Sequence, residues 1–290
     1  MILASNGILA SSIQSAAALL LDTYTGAAAA YSVRKLRTAY TGNAIRVRRS
    51  SDNTEQNIGF SGNNLDTSAL TTFVGANDGF VTTWYDQSGN ARNATQTTAA
   101  NQPQIVSSGT LVTFNGKPYI KYLDNADSLI TSNFAAAGNN RSYFAVAKMI
   151  TNSANNLFIL EHGRGPLDNY RNGIGKFFST SNVIQAQIGT GTANTRTSEL
   201  TLNTTDDYLF SAFVASGSYL QFFSNGSLVQ NLSTASVPII DSSSQVNVGR
   251  TTGGGALSWL QSEAIYWDAT NQIANRSGIE SNINTYYAIY

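Results

Sequence analysis

The stretch from Thr83 to Gln96, TWYDQSGNARNATQ, gathers Trp84, Tyr85, Asp86, Gln87 and Asn90 around one glycine turn. These side-chain types are the ones that hold sugars: aromatic rings stack on apolar sugar faces, while carboxylates and planar amides bond hydroxyls. The same residues also describe a self-bracing corner. There Asp86 and Ser88 accept hydrogen bonds from nearby backbone N–H groups, Gly89 turns the chain, and Asn93 and Gln96 pair with the following loop. The corner is the preferred reading of Asp86 and Gln87. As a binding site, the candidates are Trp84, Tyr85, Asp86, Gln87 and Asn90, joined by Trp259.

Other chemistries are restricted by composition. The chain has no cysteine, so disulfides and thiolate metal sites are excluded, and the single histidine, His162, excludes a multi-histidine zinc site. A Ser-His-Asp triad would depend on His162 alone, which sits where a strand runs into a loop and is read as structural or merely exposed. Calcium would need several oxygen ligands gathered closely. Asp52 and Asn53 in SSDNTEQ, and Asp124 and Asp127 in DNAD, offer some, but ordinary turns explain both segments better, so no cofactor is expected. Seventeen basic residues balance seventeen acidic ones, which leaves no global field to recruit nucleic acid or an anionic membrane.

The elements that must position these residues are mostly strands. AIRVRRS alternates Ile45 and Val47 with Arg46 and Arg48, the pattern of a half-buried strand with a solvated basic face. Short β-rich runs recur from FVTTWY to LSWLQSEAIYW with NG, SG and GG turns between them, as in a β-sandwich or jelly roll. YLQFFSNGSLVQNL reads as a hairpin turned by Asn225-Gly226. SVRKLRTAYTG suggests one or two helical turns closed by Gly42. Thr67 to Val74 reads as a short helix capped by Asp66. Ile273, Ile279, Ile283 and Tyr287 mark one side of a terminal helix.

The first thirty residues differ in being small and apolar. Ile13, Ala17, Leu20 and Leu21 are spaced as on one helical face, and are candidates for assembly against a neighbouring subunit. The expected division is an N-terminal anchoring segment, 1–30, and a single domain, 31–290. No self-encoded signal peptide and no membrane span are expected, because the apolar run is short and lacks a basic leader.

Two blocks carry a family resemblance. RKLRTAYTG, the basic strand, TTWYDQSG and FNGKPYIKY resemble the N-terminal half of the catalytic domain of the α-L-arabinofuranosidase B family, a concanavalin A-like sandwich. The same block resembles lectin-like modules of tailed-phage and other virion structural proteins. YLQFFSNGSLVQNL and QVNVGRTTGGGALSWLQSEAIYW resemble the end of laminin-G-like jelly rolls. The resemblance implies an all-β concanavalin A-like β-sandwich with short N-terminal helices and a C-terminal helix.

For activity, the resemblance implies a glutamate nucleophile in a central strand and an aspartate acid late in the chain. The matching segments read VIQAQIG, with Gln185 and Gln187, and VNVGRTTGGG, with Arg250 where the aspartate is expected. Both carboxylates are missing there, so no enzyme is expected. Substitutes elsewhere are Glu161, Asp168, Glu199, Asp206, Asp207, Glu263 and Asp268. The resulting expectation is a phage virion protein (head fibre, spike or tail-associated) at the particle surface. Its partners would be other virion proteins through the N-terminal segment, further copies of itself, and host surface carbohydrate. An arabinofuranosidase-type hydrolase or a free carbohydrate-binding module is the alternative.

Overall fold

Successive side chains of a strand point to opposite faces, so the alternation in the sequence decides what each face buries. A computed structural model describes residues 18–123, 126–152, 156–163, 171–176, 182–189, 194–215, 217–233, 244–252 and 257–290. The expected β-sandwich is the architecture found.

One layer runs, in antiparallel order, through Ser227–Ser233, Tyr219–Ser224, Tyr208–Ala215, Arg141–Asn152, Leu257–Trp267 and Ala29–Ser32. The other runs through Asn194–Arg196, Val183–Gly189, Asn172–Lys176, Asn156–His162, Val246–Thr252 and Ser128–Ile130. Phe144, Phe213 and Trp267 of the first layer and Leu160, Ile174, Ile184 and Ile188 of the second belong to one buried core. Ile120–Tyr122 continues from Leu257–Trp267 through Gln104–Ser107 and Gly79–Trp84 to Ile45–Arg49 and Glu55–Ile58.

Local sequence explains several elements. Ile45–Arg49 buries Ile45 and Val47, and its arginines find partners at the surface: Arg46 with Glu55 and Arg49 with Asp52. Asn225 and Gly226 take φ of 50° and 75°, the two positive values a primed turn requires, between Tyr219–Ser224 and Ser227–Ser233. The helix α1 is a single turn, Leu20–Thr23, and α2 is Thr67–Val74, with the Asp66 carboxylate accepting from Ala69 N–H at 2.9 Å. The helix α3, Arg276–Tyr287, buries Ile279, Ile283 and Tyr287, while Ile273 lies in the 3-10 turn before it.

Two expectations are corrected. SVRKLRTAYTG is not helical, because these backbone N–H groups are taken by side chains or by a distant carbonyl. Arg34 donates to Ser32 Oγ, Lys35 to Asn63 O, Leu36 to Gln87 Oε1 and Thr38 to Asp22 Oδ1, which leaves no i to i−4 ladder. Nor is a domain boundary found at residue 30. Leu20 and Leu21, expected as assembly residues, are buried in the core, and Ala29–Ser32 is a strand paired with Tyr266 through Glu263. Ile13 and Ala17 lie outside the described residues.

Candidate functional site

The YDQSG stretch folds as a brace. Asp86 Oδ1 accepts from Ala30 N and Ser88 N, both at 2.9 Å, and Oδ2 from Ser88 Oγ at 2.7 Å and Arg92 N at 2.9 Å. Gln87 is fully buried: its oxygen accepts from Leu36 N at 2.8 Å, and its nitrogen donates to the carbonyls of Ser32 and Arg34. Asn90 Nδ2 donates to Ala27 O and Ala28 O, and the Tyr85 hydroxyl donates to Asn57 Oδ1. Together these bonds tie the Gly-containing turn to the chain between Ala27 and Leu36.

Trp84 and Trp259, expected as sugar platforms, are core residues instead. Trp84 lies 6.0 Å from the Tyr31 ring, and Trp259 stacks on Tyr122 at 4.4 Å. A ring whose faces are covered by protein cannot stack on a sugar. The six candidates therefore form two structural clusters, with Trp259 apart from the rest.

Polar groups converge elsewhere, on the second layer. In Val183–Gly189 the core receives Ile184, Ala186 and Ile188, so Gln185 and Gln187 point to the other face. Register then builds a row across five strands: Asn247 opposite Glu161, Glu161 opposite Gly173, Gly173 opposite Gln187, and Gln187 opposite Arg196.

Hydrogen bonds knit the row together. Asn247 Nδ2 donates to Glu161 Oε2 at 3.2 Å, and Arg171 Nε lies 3.6 Å from Glu161 Oε1 with its guanidinium over the Phe158 ring. Arg196 Nε donates to Gln187 Oε1 at 2.7 Å, and Gln187 Nε2 donates to Arg171 O at 3.4 Å. One step along, Gln185 Nε2 donates to Glu199 Oε1 at 3.1 Å. Burial pushes the Lys176 ammonium down to about 8, although the Glu199 carboxylate opposes the shift.

Gly173 lets its strand lie close against Asn156–His162. A Cβ there would lie 2.1 Å from Leu160 O and 2.8 Å from Glu161 Cα, so no side chain fits between Glu161 and Gln187. This arrangement can orient hydroxyls with two amides, a carboxylate and two guanidinium groups. The sequence signal was the G-x-G of NGIGK beside the alternating Q-x-Q of VIQAQIG; Arg171, Arg196 and Asn247 carry no such signal and were missed.

The remaining acids have structural partners. Glu263 is buried and bonds Arg34 Nε at 2.8 Å, Arg34 Nη2 at 3.0 Å and Ser32 Oγ at 2.7 Å. Asp207 is buried beside the Tyr119 hydroxyl, and burial pushes it up to about 7. Asp206 accepts from Thr205 and Asn203 in an exposed turn, and Asp268 accepts from Ala137 N at 3.0 Å. Asp52 is engaged by Arg49, and Asp127 accepts from Leu123 N at 2.7 Å. Asp124 and Asp168 lie outside the described residues. His162 is buried, stacked on Phe134 at 4.8 Å, with Nδ1 at 3.2 Å from the Tyr266 hydroxyl.

Residues 20–157 match the family model of the α-L-arabinofuranosidase B catalytic domain. No curated protein matches the chain. A mutant GH54 α-L-arabinofuranosidase soaked with 4-nitrophenyl α-L-arabinofuranoside superposes with a TM-score of 0.68 at 15% identity, over 91% of this chain and 64% of that one. An arabinofuranosidase complexed with arabinofuranosyl-α-1,2-xylobiose gives 0.66 at 16%, with the same coverage. The binding domain of Paraclostridial Mosquitocidal Protein 1 gives 0.51 at 13%, over 70% of this chain and 49% of that one. This chain thus spans under two thirds of each of those proteins, and at such identities what it shares with them is the β-sandwich fold.

Proposed function

We propose that the chain is a carbohydrate-binding β-sandwich that does not hydrolyse glycosides. The observation that carries this reading is the amide pair Gln185 and Gln187 on the outward face of Val183–Gly189. Retaining hydrolysis needs two carboxyl groups roughly 5 Å apart, and inversion needs a pair roughly 6.5–9.5 Å apart. Of the described carboxylates at these amides, Glu161 is engaged by Arg171 and Asn247, and Glu199 by Gln185. Amides bond hydroxyls but neither attack an anomeric carbon nor protonate a leaving group.

The test pairs a glycan array that includes terminal arabinofuranosides with an assay of 4-nitrophenyl α-L-arabinofuranoside cleavage. Binding without cleavage, lost in Gln187→Leu, supports the reading. Cleavage that survives rigorous purification overturns it in favour of a hydrolase.

For the biological setting, we propose display on a phage particle, as a fibre, spike or tail-associated protein that contacts host glycan. Support comes from the small apolar composition of residues 1–17 and from the sequence resemblance to virion modules. No helix among the described residues is long and apolar enough to cross a membrane. Co-purification of the full chain with particles, at a fixed copy number, tests this placement.

A further inference from the structure

We propose a second ligand site, for an acidic sugar unit, in the cleft between α3 and the loop that follows Ala29–Ser32. The cleft has a volume of about 450 Å³, and its polar lining is Arg34, Lys35, Asn63, Asn282, Thr285 and Tyr286. It shares no residue with the row around Gln187, and the proposal does not depend on that row's function.

The charge of the lining is one-sided. Arg34 and Lys35 contribute cations, and none of the lining residues is acidic. Among the described residues the only carboxylate bound to Arg34 is Glu263, which lies in the core beneath it and takes Nε and Nη2 from one edge of the guanidinium. That two-pronged grip, with Nη1 donating to Asn282 Oδ1 at 2.9 Å, fixes a side chain that is more than nine-tenths buried.

A guanidinium has five N–H donors, and these three bonds use three of them, leaving one on each terminal nitrogen. Glu263 balances Arg34, whereas Lys35 has no ion pair among the described residues, so the cleft keeps a net positive charge. Across the Tyr286 ring, Lys117 Nζ stands 4.1 Å from the ring centroid and adds to the same field.

This lining suits a carboxylate attached to a polyol. A planar carboxylate matches a prepositioned guanidinium edge and an adjacent ammonium. Asn63, Asn282 and Thr285 supply amide and hydroxyl donors and acceptors for sugar hydroxyls, a role that an inorganic anion would leave unused. The ligand class is therefore a uronate-type sugar, recognised by its charge and its hydroxyls together.

The experiment is a titration of the full chain with sodium glucuronate, glucose and inorganic phosphate at low salt, followed by chemical-shift changes or calorimetry. The proposal expects glucuronate to bind more tightly than glucose or phosphate by at least about tenfold, with affinity falling as salt rises. Lys35→Gln and Thr285→Trp should each weaken glucuronate by about tenfold or more while leaving the melting temperature in place; neither residue is buried. Equal binding of phosphate, equal binding of glucose, or glucuronate binding unchanged in both variants would overturn it.

Discussion

Arg196 and Gln187 face each other on adjacent antiparallel strands, with Arg196 Nε donating to the Gln187 amide oxygen at 2.7 Å. The contact fixes which end of the amide points where: the oxygen toward Arg196, the nitrogen toward Arg171 O. Gln187→Glu would turn this bond, already charge-assisted by the guanidinium, into an ion pair. The variant should fold, yet release no nitrophenol from 4-nitrophenyl α-L-arabinofuranoside, because the other carboxylate of the row, Glu161, is tied to Asn247 and Arg171. Release by this single variant would reveal a second working carboxyl group.

The Asp86 brace gives a stability prediction. Its carboxylate satisfies three backbone N–H groups, those of Ala30, Ser88 and Arg92, in a largely buried corner. Asp86→Ala leaves all three without their acceptor, and a lost buried partner costs about 1–3 kcal/mol for each donor stranded. Urea unfolding should show a loss of about 3 kcal/mol or more. A loss below about 1 kcal/mol would show that water replaces the carboxylate at no real cost.

Gly173 tests the row directly. Gly173→Ala would drive a methyl group to within 2.1 Å of Leu160 O, where both neighbours are backbone and cannot swing aside. The expected effect is destabilisation by about 2–3 kcal/mol together with loss of glycan binding. A stable variant that still binds would place the ligand elsewhere.

The buried acid Asp207 predicts a pH dependence. Burial raises it to about 7 in the folded chain, against 3.8 as the ordinary value, with the Tyr119 hydroxyl, Tyr208 N–H and Lys148 partly opposing the shift. Between these values the folded chain holds a proton that the unfolded chain has released. Its contribution to stability is therefore full below about pH 4 and declines as pH rises toward 7. Asp207→Asn removes the titration, so the parent should lose on the order of 1–3 kcal/mol more than the variant between pH 4 and 7. Parallel curves for the two proteins would remove Asp207 as the source.

Deleting residues 1–30 should abolish folding. It removes Leu20 and Leu21 from the core and Ala29 and Ala30 from their pairing with Tyr266 and Ile265. Far-UV circular dichroism and a melting curve would register the loss; a cooperative transition near that of the full chain would show the edge strand to be dispensable.

Elements governed by local periodicity were legible in the sequence. Asp66 with Thr67–Val74, the Asn225-Gly226 turn and the alternation in Ile45–Arg49 each depend on neighbours a few residues away. The loop from Arg34 to Thr38 was misread because its N–H groups bond to residues as distant as Gln87, which no local pattern encodes. Tryptophan type alone did not tell a displayed ring from a packed one, as Trp259 on Tyr122 shows. The row around Gln187 draws on strands more than eighty residues apart, such as Glu161 and Asn247, and register alone assembles it.

The pairing of Ala29–Ser32 with Glu263 through Tyr266 also bears on synthesis. Ala29–Ser32 waits until more than two hundred further residues have been made before its partner exists. Ala29, Ala30 and Tyr31, all buried at the end, travel through that interval uncovered. Contacts so distant along the chain carry a heavy loop-closure cost and form slowly. The last long strand, Leu257–Trp267, also receives Ile120–Tyr122 and Arg141–Asn152. It acts as a clasp that closes the domain only once Leu257–Trp267 has itself been made, so translation pauses or premature termination before residue 267 should yield aggregating fragments rather than a smaller folded unit.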